Sequence, residues 1–145
     1  MKFRSLYLLL LLASVSIASC VKDENELLEA NGLVISANQE VNENTSTATG
    51  SITAKFNKST NVMNYTVTWS GLSGNHTGIK LYAGARKAVG EVVRTIATSG
   101  NPSGSLTENW NVPAEIVSKL EQGLIYVNIT TTQYPDGEIR GQIEF

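Results

Sequence analysis

Apolar residues recur at every second position through most of this chain, and that period limits the fold more than any other feature. In Ser51-Ile52-Thr53-Ala54-Lys55-Phe56 the apolar set is Ile52, Ala54 and Phe56. In Met63-Asn64-Tyr65-Thr66-Val67-Thr68-Trp69 it is Met63, Tyr65, Val67 and Trp69. Ile125, Val127 and Ile129 alternate with Tyr126, Asn128 and Thr130, and Ile139 and Ile143 alternate with Glu138, Arg140, Gln142 and Glu144. Successive side chains of a strand point to opposite faces, so this pattern describes antiparallel strands with one face on a core and the other in water. Weaker strands are predicted over 33–37, 78–83, 91–97 and 105–112. β-Branched and aromatic residues dominate all of these runs, which suits a pleated surface.

The intervening segments carry turn chemistry. Asn57-Lys58-Ser59-Thr60-Asn61 reads as a hairpin loop, and Gly71-Leu72-Ser73-Gly74-Asn75 and Ser99-Gly100-Asn101-Pro102-Ser103-Gly104 as Gly-rich connections. Tyr134-Pro135-Asp136-Gly137 is a strong turn signal, because Pro presets φ and Gly accepts a positive φ. One helix is expected: Pro113 suits its start, Ile116, Val117 and Leu120 share a face, and Gly123 stops it. About eight short strands with one short helix define an all-β domain, a sandwich or a Greek-key barrel.

The N-terminus has a different character. Basic Lys2 and Arg4 precede an apolar run from Leu6 to Ala18, as in a secretory signal peptide. The run is short for a membrane-spanning helix, which needs about 20 apolar residues. Its ending, Ile17-Ala18-Ser19-Cys20, resembles a bacterial lipobox, which implies cleavage before Cys20 and lipidation of its thiol. Cys20 is the only cysteine, so the domain is expected to stand without a disulfide. The expected organisation is a signal peptide over 1–19, an acidic tether over 20–31 and one domain over 32–145. Lys22-Asp23-Glu24-Asn25-Glu26 reads either as a solvated spacer or as an export tag of the kind that some Gram-negative surface lipoproteins carry. The expected location is the cell envelope, on the outer membrane of a Gram-negative bacterium and facing outward if the tag reading holds.

The chemistry-bearing residues are sparse. The formal net charge is −2, with no basic stretch, so nucleic acid is not an expected partner. The single histidine, His76, is expected to be a solvated loop residue, and one imidazole without cysteines makes no transition-metal site. No Gly-x-Ser-x-Gly elbow and no phosphate-binding glycine loop is present. Glu138 and Arg140 share a strand face, as do Gln142 and Glu144, and read as a charge ladder on the exposed side of the sheet. Arg140 is expected to pair with a carboxylate or carbonyl of a neighbouring strand, and Arg140→Lys to cost less than Ile139→Ala or Gly141→Val. Ile139, Gly141 and Ile143 take the core side. Tyr82 and Tyr126 fall on the polar register, where exposed rings serve sugars or protein partners. The Asn-x-Ser/Thr sequons at Asn44, Asn57, Asn64, Asn75 and Asn128 read as strand composition beside a lipobox.

The segment Gly123-Leu124-Ile125-Tyr126-Val127-Asn128-Ile129, followed by Tyr134-Pro135-Asp136-Gly137-Glu138-Ile139-Arg140-Gly141-Gln142-Ile143, resembles the closing signature of the CHRD domain, a module named after chordin. Upstream, Gln39-Glu40-Val41, Ala48-Thr49-Gly50, Tyr65-Thr66-Val67 before Gly71-Leu72, and Gly90-Glu91-Val92-Val93 agree with it in order. The resemblance covers 32–144. It implies an antiparallel Greek-key β-sandwich, similar in architecture to the Cu/Zn superoxide dismutase fold. The family often carries a His-x-His pair where this chain has Lys80-Leu81-Tyr82, and another histidine where it has Thr130. The resemblance therefore implies no metal and no cofactor here. The expectation is a monomeric, non-enzymatic binding or structural module with an unidentified protein or glycan partner. Lys80, Tyr82, Tyr126 and Thr130 are the candidate ligand surface, and Gly137, Glu138, Arg140 and Gly141 a structural motif. A carbohydrate-binding surface protein, and more remotely a metal-dependent redox protein, are the alternatives.

Overall fold

The computed structural model describes residues 26–145. The signal segment, Cys20 and the first residues of the acidic segment lie outside the described residues. Eight strands and one α-helix follow in the order β1 Leu27–Ser36, β2 Thr49–Asn57, β3 Val62–Ser70, β4 His76–Ala83, β5 Glu91–Ala97, β6 Gly104–Asn111, α1 Ala114–Glu121, β7 Ile125–Thr131 and β8 Ile139–Ile143. The domain is all-β with one short helix. Alternation sets the burial of β2 and β3: Ile52, Ala54, Phe56, Met63, Tyr65, Val67 and Trp69 are buried. Their outward neighbours form a hydroxyl ladder, with Ser51 and Thr68 Oγ atoms 2.8 Å apart and those of Thr66 and Thr107 also 2.8 Å apart.

The strands form one antiparallel sheet of order β5-β4-β7-β8-β1-β2-β3-β6. Its two four-stranded halves meet at the single pair Ser36–Arg140. The inward faces of both halves join in one core, where Ile52, Phe56 and Val67 share a cluster with Ile79, Leu81, Val127 and Ile139. The terminal strands of this order also approach each other. Arg94 of β5 donates to Tyr65 Oη (3.1 Å), to Glu108 Oε2 (3.2 Å) and to the Asn109 carbonyl (3.2 Å) on β3 and β6. The sheet therefore curls round until its edges are bridged by side chains instead of a backbone ladder.

Two elements differ from the sequence reading. β1 begins at Leu27, within the stretch read as tether, and pairs Leu27 to Ala30 with Asn57 to Ala54 of β2. The alternation is broken there by an irregularity between Ala30 and Leu33, where Gly32 takes φ +62°, so the strand's first half is out of phase with its second. His76 is not a solvated loop residue. It opens β4, is buried, and meets the Trp69 ring edge-on at 5.3 Å. α1 matches the expected helix, with Pro113 just before it and Gly123 ending it at φ +70°.

Candidate functional site

β7 and β8 are buried on both faces. Their core side carries Ile125, Val127, Ile129, Ile139 and Ile143. Their other side carries Tyr126, Asn128, Arg140 and Gln142, the residues the alternation assigns to water. Two segments cover this second face: residues 37–48, between β1 and β2, and residues 84–90, between β4 and β5. Lys87 ties the covers together. It adopts φ +58°, and its Nζ donates to the carbonyls of Asn38 and Glu40 and to Glu43 Oε1.

Arg140 fastens the second cover. It is 1 % exposed and donates to the carbonyls of Ala88 (2.8 Å) and Ala85 (2.6 Å). Its guanidinium lies 3.4 Å from the centroid of Tyr126, a cation–π contact strengthened by the burial of both groups. On the β4 side Tyr82 stacks on Tyr126, with centroids 5.1 Å apart and planes 5° from parallel. Tyr126 thus lies between Tyr82 and Arg140, and its hydroxyl accepts from Gly90 N at 3.1 Å. Gln142 completes the fastening by donating to the carbonyls of Gly84 (2.9 Å) and Gly123 (2.7 Å).

Glu138 fastens the first cover. It is fully buried and meets no cation. Its Oε1 accepts from Ser46 Oγ (2.7 Å) and Ser73 N (2.8 Å), and its Oε2 from Ser73 Oγ (2.7 Å) and Thr131 Oγ1 (2.7 Å). Burial alone raises a carboxyl pKa, but the bonds from Ser46, Thr131 and Ser73 outweigh it and hold Glu138 below the usual carboxylate range. The reading of Glu138 and Arg140 as an exposed charge ladder is therefore corrected: both are internal, because loops cover the face they share. Arg140 also finds its carbonyls in the 84–90 loop, not on a neighbouring strand. Gly141 packs against β1, where an added Cβ would meet Ile35 Cγ1 and the Val34 carbonyl, each at 2.8 Å.

Between the covers lies a cleft of about 440 Å³. Its floor is Tyr126, Asn128, Gly137, Arg140 and Glu40. Its rim is Val41, Asn42, Val89, Pro135 and Asp136, which are exposed, together with half-buried Tyr82. Asn128 donates through Nδ2 to Glu40 Oε2 (3.2 Å) and the Asp136 carbonyl (3.4 Å). Glu40 Oε1 and Asn128 Oδ1 are buried without a partner. Burial raises the Glu40 pKa to about 7, against the lowering pull of Arg140, Asn128 and Lys87. Gly137, at φ +143°, brings its backbone so close that a Cβ would lie 2.5 Å from Asn128 Nδ2 and 2.6 Å from both Glu40 oxygens.

Of the four candidate ligand residues, Tyr82 and Tyr126 line the cleft, and Lys80 and Thr130 do not. Tyr126 is buried and both its faces are taken, so Tyr82 is the ring left to meet a ligand. Thr130 Oγ1 is engaged with Thr77 Oγ1 (2.9 Å) and the Gly78 carbonyl. Glu40 and Asn128 escaped the reading of single residues, since one lies in a loop and the other on a face expected to meet water. Among the described residues no group of three or more His, Cys, Asp and Glu gathers in a metal-holding arrangement.

An antiparallel all-β domain whose closing strand is laced to two covering loops is the class that fold and site define. Residues 33–143 match the CHRD domain family model, and the chain belongs to that family. No curated protein and no solved structure matches it.

Proposed function

We propose that the protein is a lipid-anchored module of the cell envelope that binds a partner, without catalysis, in the cleft between the two covers. The observation that carries this reading is the cleft's construction. Its floor is polar and fixed by Arg140, Gln142 and Lys87, while its rim exposes Val41, Val89 and Pro135. A preformed concavity with apolar walls and a few convergent polar groups is the usual form of a binding site. Among the described residues no serine, threonine or cysteine lines it, and the Tyr126 hydroxyl in its floor is engaged by Gly90 N, which favours binding over nucleophilic chemistry. Anchoring is supported by Ile17-Ala18-Ser19-Cys20, and an outward-facing outer-membrane location by the acidic residues that follow. A glycan partner is a second reading, favoured by the half-exposed Tyr82 ring beside Asn42 and Asp136.

The cleft is tested by capturing partners from solubilised envelopes with wild-type, Val89→Asp and Val41→Asp chains. The expected result is a partner retained by wild type and lost by both variants at unchanged melting temperature. Retention by both variants would place the interaction elsewhere. Glycan-array binding lost on Tyr82→Ala would identify the partner as a sugar. Anchoring is tested by fractionation: Cys20→Ala is expected to leave the protein uncleaved or released from membranes.

A further inference from the structure

We infer that below neutral pH Glu40 is held in the folded protein as a neutral carboxylic acid, its Oε1 hydroxyl donating to Asn128 Oδ1 and closing an acid–amide ring that locks one wall of the cleft. Two buried acceptors without partners, Glu40 Oε1 and Asn128 Oδ1, belong to the same pair of groups. The other half of that pair is already joined, with Asn128 Nδ2 donating to Glu40 Oε2. A buried acceptor left unmade is destabilising. One proton on Oε1 turns an acceptor into a donor and satisfies both atoms. The amide orientation is fixed independently, because Nδ2 faces two acceptors, Glu40 Oε2 and the Asp136 carbonyl. A rotated amide would set oxygen against oxygen.

The surroundings agree. Glu40 is 4 % exposed, and burial is the largest influence on its acidity, outweighing its cationic neighbours. Arg140 on β8 uses its guanidinium on Ala85, Ala88 and Gln142. Lys87 of the 84–90 loop reaches the Glu40 carbonyl and not its carboxyl. Asp136 between β7 and β8 offers Asn128 its backbone carbonyl. Tyr82 and Tyr126, on β4 and β7, line the same cleft. Loss of the proton to solvent leaves Oε1 charged and without a donor, and loosens the segment that carries Val41 and Asn42. The proton itself does not depend on the cleft's being a binding site; only the consequence for a ligand rests on that reading.

The sign follows from linkage. A carboxyl whose folded pKa lies above its unfolded one stabilises the fold below the unfolded value, and this contribution is lost as pH rises toward the folded value. The window runs from 4.5 to about 7. The test is denaturant unfolding of full-length wild type and Glu40→Gln between pH 4.5 and 8. Glutamine supplies the donor permanently, and the opposite trends of Glu138, Glu43 and Glu144 cancel in the comparison. The wild-type folding constant should fall on the order of a hundredfold relative to Glu40→Gln across this window, leaving the variant the more stable chain at pH 8. Parallel curves would overturn the inference. Carbon-13 carboxyl titration of the wild type is a second reading: Glu40 should turn over near neutrality, and an ordinary carboxylate midpoint would contradict the assignment. Neither measurement uses a ligand, so failure here is separable from failure of the binding proposal.

Discussion

Glu138 and Arg140 stand two residues apart, one just before β8 and one within it, and opposite means satisfy them. The carboxylate takes four hydrogen bonds from serine and threonine groups on three segments. The guanidinium takes two carbonyls and an aromatic face. Removing a buried, fully bonded carboxylate leaves neutral donors unmade, at about 1–3 kcal/mol each. Glu138→Ala is therefore expected to destabilise by several kcal/mol at most and no less than about 1 kcal/mol in denaturant unfolding. Its pH signature is opposite to that of Glu40. The folded pKa of Glu138 is depressed, so its stabilisation is present above the unfolded value of 4.5 and is lost as pH falls further. Glu138→Gln should therefore flatten the acid limb of a stability–pH curve. Arg140→Lys, expected from sequence to be mild, is now expected to cost about 2–4 kcal/mol by thermal melt, since an ammonium has neither the planar fork nor the stacking face. Trp69 is buried among core residues and its Nε1 donates to the Asn101 carbonyl at 3.0 Å. Trp69→Ala should lower stability by about 3–5 kcal/mol.

At the scale of elements, legibility depended on whether one face of a strand met water. β2 and β3 do, and their alternation located them. β7 and β8 also carry alternating sequences, but their polar register is covered, so pattern identified the strands and misassigned Tyr126, Glu138 and Arg140 to the surface. No local signal in residues 37–48 or 84–90 says that these loops fold back over the sheet. Their fastening relies on backbone carbonyls and hydroxyls brought together from distant positions, which period and composition cannot display. His76 was misread for the same reason: its packing partner, Trp69, lies across the turn that joins β3 to β4. The closing signature is legible in one further respect, since Gly141 opposes β1 closely enough that a side chain would strike backbone. Gly141→Val is expected to cost at least about 1–3 kcal/mol, as overpacked interiors do, with a lowered melting temperature and weakened β1–β8 pairing.

For the whole molecule, one core filled from both halves of a curled sheet explains how a chain with a single cysteine outside the described residues holds together. The curl is finished by Arg94, whose bonds to Tyr65, Glu108 and Asn109 bridge the strands at opposite ends of the sheet order. Arg94→Ala should cost about 1 kcal/mol, with faster amide exchange confined to β5 and β6. The covering loops are a second structural layer, and the cleft exists only because that layer is fastened from beneath. This claim is tested most directly by hydrogen–deuterium exchange with peptide resolution on wild type, Arg140→Lys and Glu138→Gln. Arg140→Lys is predicted to lose protection first in residues 84–90, and Glu138→Gln in residues 37–48 and 71–75, while β2 and β3 stay protected in both. Unchanged exchange in the loops, or a uniform loss across the sheet, would contradict the account of these two residues as fasteners of the covers.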